Sequence, residues 1–258
     1  SKSRDDIGEL GLAFNKMVID LGKARQEVEE RTGELIVAKK KTDKLLLNIL
    51  PAETADELKA TGFAKAKNYD LVTVLFADFK GFTEISEQLK PDQLVADLNY
   101  CFSAFDMITE KYGIEKIKTI GDAYMCVGGL PVRNETHAMD ILMAAIEIRD
   151  FMVMYKKEKE ARGETPFEIR IGINTGPVVA GIVGIKKFAY DIWGNTVNIA
   201  SRMESCSESG KINISGSTWL FIKDHFSCTW RGKIKAKGIG EIDMYFVNST
   251  VEEENLAV

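Results

Sequence analysis

At 258 residues, with 45% hydrophobic and 28% charged residues, the chain has a globular balance and the length for one large domain plus an extension, or two small domains. A formal net charge of -5 excludes a basic surface that coats nucleic acid. Four cysteines, Cys101, Cys126, Cys206 and Cys228, fall at no ligand-like spacing and set up no disulfide framework, so a reducing compartment is expected.

No stretch approaches a membrane span and none reads as a signal peptide. Ser1 stands inside a helical pattern, as expected of a fragment of a longer protein. Residues 7–50 predict one long helix. Ile7, Leu10, Phe14, Met17, Leu21, Ala24 and Val28 alternate steps of three and four, and Leu35, Ala38 and Leu45 continue them, which predicts a coiled coil. Arg31 and Thr42 interrupt that seam, and Gly8, Gly11, Gly22 and Gly33 weaken the helix, so the seam is expected to rearrange under modest force. Pro51 ends the run, and a short helix and a joint fill residues 52–70.

The pattern then changes. Residues 71–76, Leu-Val-Thr-Val-Leu-Phe, predict a buried strand. A helix is expected over 91–112, strands over 115–120 and 123–127 joined at Gly121-Asp122, and a helix over 135–161. Strands at 167–174 and 178–183 flank Gly176-Pro177, a helix runs from Asn195 to about Gly210, and a strand, a short helix and two last strands complete the chain. The fold class is therefore α+β, a ferredoxin-like βαββαβ core with C-terminal additions, preceded by the long helix. Such a sheet is expected to carry helices on one face only, and a second copy is the simplest partner for the other.

Asp78 ends an apolar strand, and Asp122 sits in a tight turn between two later ones. Each alone reads equally well as a helix cap or a turn former. In the expected topology both lie at one end of neighbouring strands, a pair of hard oxygen donors suited to Mg²⁺ beside a polyphosphate. The backbone amides opening a helix at Gly81, Phe82 and Thr83 suit β- and γ-phosphates. Lys118 and Asp191 form a donor and acceptor that match adenine N1 and N6, whereas guanine presents the opposite pattern. Asn198 and Arg202, four apart on one helix face, suit a ribose oxygen and the charge that builds on an α-phosphate. Lys237, beside Gly238, is placed to reach a β- or γ-phosphate. His137 and His225 have no nearby ligand set and are assigned to structure or surface.

The segments FADFKGFT (76–83), IKTIGDAYM (117–125), RIGINTGPVVAGIVG (170–184) and YDIWGNTVNIASRM (190–203) together resemble the catalytic domain of the class III adenylyl and guanylyl cyclases, a likeness covering residues 70–248. The resemblance implies a head-to-tail homodimer with two composite sites. One chain would supply Asp78 and Asp122 to two Mg²⁺ or Mn²⁺ ions. The other would supply Lys118 and Asp191 to adenine and Asn198 and Arg202 to the transition state, and Lys237 matches the family's phosphate lysine. Guanylyl members carry glutamate where Lys118 stands, so an adenylyl cyclase making 3′,5′-cyclic AMP and pyrophosphate from ATP is expected. A guanylyl cyclase using GTP and a catalytically silent dimeric interaction module are the alternatives. Residues 5–17, DDIGELGLAFNKM, resemble the end of a HAMP module, and 18–55 resemble the helical transducer that joins such modules to cyclases. The expected organisation is thus a HAMP-like end (1–17), a regulatory coil (18–55), a joint (56–70), the cyclase domain (71–248) and a flexible tail (249–258). That organisation implies an upstream sensor and a cytoplasmic fragment of a membrane-anchored receptor.

Overall fold

The computed structural model describes residues 2–184, 189–236 and 240–250. The chain divides into two compact units, Ser1–Gly62 and Phe63–Val258. Most of the expected tail lies outside the described residues.

The first unit holds helix α1 (Lys2–Leu47) and helix α2 (Ala52–Thr61). Pro51, with φ of -54°, stands at the start of α2, and Gly62, in the left-handed region at φ 74°, ends it by donating its N–H to Leu58 O. A Lys59–Asp43 ion pair at 2.8 Å ties the two helices. The coiled-coil reading of α1 needs correction. Leu10, Phe14, Met17 and Leu21 of the expected seam are exposed, and so are Leu12, Ile19 and Val37 on the opposite side of the helix. Apolar residues therefore fall on two sides rather than in one narrow seam. No helix among the described residues is long and apolar enough to cross a membrane.

The second unit is a mixed α+β fold: a central sheet, part antiparallel and part parallel, flanked by helices. Its elements are β1 (Lys67–Lys80), α3 (Phe82–Gln88), α4 (Pro91–Lys111), β2 (Glu115–Ile120), β3 (Ala123–Gly128), α5 (His137–Ala161), β4 (Glu168–Val183), β5 (Ala189–Trp193), α6 (Asn195–Ser205), β6 (Ile212–Ser215), α7 (Gly216–Ile222), β7 (Phe226–Ala236) and β8 (Gly240–Thr250). The strand order is β2-β3-β1-β4-β6-β8-β7, with β5 paired to the far half of β4. β4 runs unbroken through Gly176-Pro177, where two separate strands were expected. Proline cannot donate to a ladder, and the β1–β4 register shifts between Tyr69 and Val72, opposite Pro177, so β1 bulges where the bond is missing.

Alternation divides the sheet into two faces. Leu75, Ala77 and Phe79 of β1, with Ile169, Ile171 and Ile173 of β4, form the main core against Phe105 of α4 and Ile141, Leu142 and Ile148 of α5. Val72, Val74 and Phe76 point to the other face and are buried as well. The expectation of helices on one face only fails here, because α6 lies on this second face. Gly172 pairs with Phe76, and a Cβ added at Gly172 would stand 1.8 Å from Glu204 N. Ala200 and Met203, both 0% exposed, turn toward the sheet. The helix backbone thus rests on strand β4 where glycine leaves room.

Gly172→Ala should therefore destabilise the second unit by about 3 kcal/mol, since backbone rather than a flexible side chain must give way. Denaturant unfolding at unchanged m-value measures it; a loss below ~0.5 kcal/mol would contradict this packing.

Candidate active site

Asp78 lies near the end of β1, on the α6 side of the sheet with Phe76. Its register partner across β4 is Arg170. Arg170 Nη2 donates to Asp78 Oδ2 at 2.7 Å, and Arg170 Nε donates to Glu204 Oε1 near the end of α6. One guanidinium therefore ties the strand to the helix. Asp122 sits in the β2–β3 turn beside Asp78, and its carboxyl is raised above the usual range, first by burial and then by the Asp78 charge. Burial and the same Asp78 charge push Glu204 up to about 7, against the pull of Arg170. Two carboxyl groups thus pair with one guanidinium, and the third, Asp122, lies beside them without a pairing cation of its own among the described residues.

The donor set fits the expected ions. Two like-charged carboxylates held together at a strand end favour a divalent cation, and Mg²⁺ commonly takes one or two carboxylates with the rest of its ligands from phosphate and water. Among the described residues no group of three or more His, Cys, Asp or Glu side chains has a metal-holding arrangement, so a nucleotide and water would supply the remaining ligands.

At α3, Gly81 adopts φ 68° and no side chain caps the helix start, which leaves the first amides free of a side-chain acceptor. The Phe82 ring packs on Phe167 with centroids 5.7 Å apart, so only its backbone is available to a ligand, while Thr83 is exposed. Lys118 Nζ donates to Asp191 Oδ2 at 2.5 Å, and Asp191 Oδ1 accepts from the Ile192 amide at 2.9 Å. The donor and acceptor read from sequence therefore meet within one chain. Asn198 and Arg202 are exposed on α6, and among the described residues neither side chain makes a hydrogen bond or ion pair. Lys237 lies outside the described residues.

Arg170 and Glu204 were missed by sequence reasoning. The signals were there. Arg170, Gly172 and Asn174 alternate with Ile169, Ile171 and Ile173, so one face of the strand is unsuited to an ordinary apolar core. Glu204 follows Ala200 by four and so continues the buried stripe of α6 with a carboxylate.

Residues 64–249 match the family model described as "Adenylate and Guanylate cyclase catalytic domain". The chain belongs to this family. It is 39% identical over 226 residues to the receptor-type guanylate cyclase gcy-5 of Caenorhabditis elegans, covering 86% of this chain and 20% of that protein. Among solved structures, the catalytic core of a rhodopsin-guanylyl cyclase with converted specificity, in complex with ATPalphaS, superposes with TM-score 0.67 at 38% identity, covering 72% of this chain and 98% of that one. The adenylyl cyclase CyaB from P. aeruginosa gives TM-score 0.68 at 36% identity over 72% of this chain and 96% of its own. The chain spans about a fifth of the length of the receptor-type relatives it matches. Because the family match begins at residue 64, it gives no support to a HAMP end at 1–17 or a coiled-coil transducer at 18–55. Those readings, and the membrane association attached to them, are corrected accordingly.

The acid cluster makes a pH prediction for the cation-free protein. The folded-state value of Glu204 lies above its ordinary 4.5, so its contribution is full below about that pH and is lost as pH climbs through about 7. In EDTA the urea midpoint should fall over this window, and Glu204→Gln should flatten the fall. A variant that declines as steeply as the parent would acquit Glu204.

Proposed function

We propose that this domain, residues 71–248, is an adenylate cyclase that converts ATP to 3′,5′-cyclic AMP and pyrophosphate at the composite sites of a head-to-tail homodimer. The observation that carries the reading is the Lys118–Asp191 pair at 2.5 Å, a donor beside an acceptor. In that arrangement Lys118 donates to adenine N1 and Asp191 accepts from N6. Guanine at the same edge would leave its own N1–H facing an ammonium and its carbonyl facing a carboxylate, and unpaired polar groups discriminate strongly.

Asp78 and Asp122 would hold two Mg²⁺ or Mn²⁺ ions, whose charge acidifies the ribose 3′-hydroxyl and offsets charge on the departing pyrophosphate. The chain's own groups do the rest by placement. The amides of Phe82 and Thr83 receive the outer phosphates. Asn198 orients the ribose and Arg202 quenches charge at the α-phosphorus during in-line attack by the 3′-oxygen. Lys237 adds a phosphate contact. The exposed, unpartnered Asn198 and Arg202 side chains argue against a silent interaction module, since a retained arginine with no structural partner suits an incoming anion. The receptor-type relatives support a cytoplasmic catalytic region of a larger receptor.

A guanylate cyclase acting on GTP is the second reading. Relatives of this chain carry the guanylate cyclase name, and on that comparison alone GTP is favoured.

Two measurements test the proposal. With ATP and GTP competing in one assay, cyclic AMP should dominate; predominant cyclic GMP would transfer the assignment to the second reading. Asp78→Asn and Arg202→Ala should each lower kcat by about a hundredfold to a thousandfold. Mixing the two variant chains should restore turnover, because one site of each mixed dimer is intact. Mixed dimers that form and stay inactive would refute shared sites.

A further inference from the structure

Strand β2 sits at the edge of the sheet, yet its Lys118 must reach Asp191 on β5, which pairs with β4 and not with β2. Lys116 and Lys118 are two apart, so regular alternation would put both on one face. The pairing with β3 prevents this. Lys116 stands opposite Cys126 and Lys118 opposite Met125, which leaves Ile117 as an extra residue, a β-bulge. Cys126 belongs to the core face with α4 and α5, so Lys116 emerges on that side. Lys118 is turned to the opposite face, toward Asp191.

What holds the strand out of phase is visible on the core side. Lys116 Nζ lies 2.7 Å from Asp106 Oδ1 and 2.8 Å from Oδ2, on helix α4. The same Asp106 Oδ1 accepts from Tyr124 Oη at 2.7 Å, and Tyr124 is 0% exposed. The Lys116 ammonium also stands 5.1 Å from the Tyr124 ring centroid. A partly exposed ion pair alone contributes little. Here its acid is fixed by a buried hydroxyl and its base lies against the same ring, so the position of Lys116 is set by both the carboxylate and the ring. Downstream, the turn at Gly121, with φ 63°, sets the other register. The two registers differ by one residue, and Ile117 absorbs the difference.

We infer that Asp106 and Lys116 are positioning residues for base selection: by pinning β2 to α4 and Tyr124, they maintain the bulge that aims Lys118 at Asp191 and the nucleotide base. The inference rests on the base-reading role proposed for Lys118 and Asp191. Neither Asp106 nor Lys116 touches substrate. Without the clamp, β2 relaxes toward one register, its local twist falls and the Lys118 ammonium is no longer held at the acceptor it shares with the base. The effect should therefore appear in nucleotide binding and base preference, not in the chemical step.

The test is a double-mutant cycle on the full chain, with KM and kcat measured for ATP and GTP and the melting midpoint recorded for each variant. Asp106→Asn should raise the KM for ATP about fivefold at nearly constant kcat and shrink the preference between the two nucleotides. Lys116→Met should do the same, while Lys116→Arg should recover most of the loss. In a Lys118→Ala background, Asp106→Asn should have almost no further effect on base preference, because the clamp acts through Lys118. An equal loss in both backgrounds, or no change in preference in the parent background, overturns the inference. If Lys118→Ala itself leaves base preference unaltered, the base-reading proposal falls and the clamp's role falls with it, a result distinct from failure of the clamp alone. Lowered melting midpoints with unchanged ATP-to-GTP ratios would reduce Asp106 and Lys116 to structural residues.

Discussion

The backbone-to-strand contact between α6 and β4 governs the geometry of this domain. A helix can approach a strand so closely only where side chains are missing, and Gly172 and Gly176 supply that gap beneath Glu204 and Thr196. The consequence is electrostatic as much as steric. Glu204 is brought down onto Arg170, and Arg170 is already bound to Asp78. A packing contact between two backbones thereby fixes the distance between a helix and the acid at the end of the central strand.

That fixation works against the charges it assembles. Asp78 and Glu204 pair with a single guanidinium beside Asp122, and the upward shifts of Asp122 and Glu204 express first their burial and then the repulsion by Asp78. A fold selected for stability alone would replace such a cluster with apolar side chains. The frustration is tolerable because the surrounding sheet is buried on both faces and determines the positions independently. On the proposed reading, a bound cation would relieve it. The cluster is thus held by the chain itself, through the apolar packing of β1, β4 and α6.

Much of this was readable from the residues. Asp78 lies near the end of the apolar strand β1 and Asp122 in the turn that opens β3, and a fold that sets β1 beside β3 brings the two carboxyl groups together. Lys118 and Asp191 were readable as complementary chemistry, although they lie far apart in sequence. Other features depend on information that local patterns do not contain. The alternation of β2 places Lys116 and Lys118 together, and only the pairing with β3 reveals the bulge that separates them. The β-α-β-β-α-β order gave no sign of a helix on the second face, because α6 follows that core in sequence and is positioned by two glycines. Arg170 was hidden inside a good strand, and Glu204 at the end of a good helix. In α1 the three-four spacing suggested a seam, but spacing along one side carries no information about Leu12, Ile19 and Val37 on the other.

The orientation of α6 also bears on the proposed assembly. Glu204 and Arg202 are two positions apart, so their side chains leave the helix about 200° apart. Glu204 turns inward to Arg170, beside Asp78, so Arg202 must point away from the carboxylates of its own chain. Asn198, four residues earlier, points nearly the same way as Arg202. A single chain therefore cannot close its acids and its arginine around one α-phosphorus without rotating a helix whose backbone is locked against β4. In the proposed head-to-tail dimer a second copy would remove the conflict, because each chain would present outward the groups assigned to its partner's acids. The proposed need for two chains would then be built into α6 itself: the same close packing that buries Glu204 turns Arg202 away from the acids of its own chain.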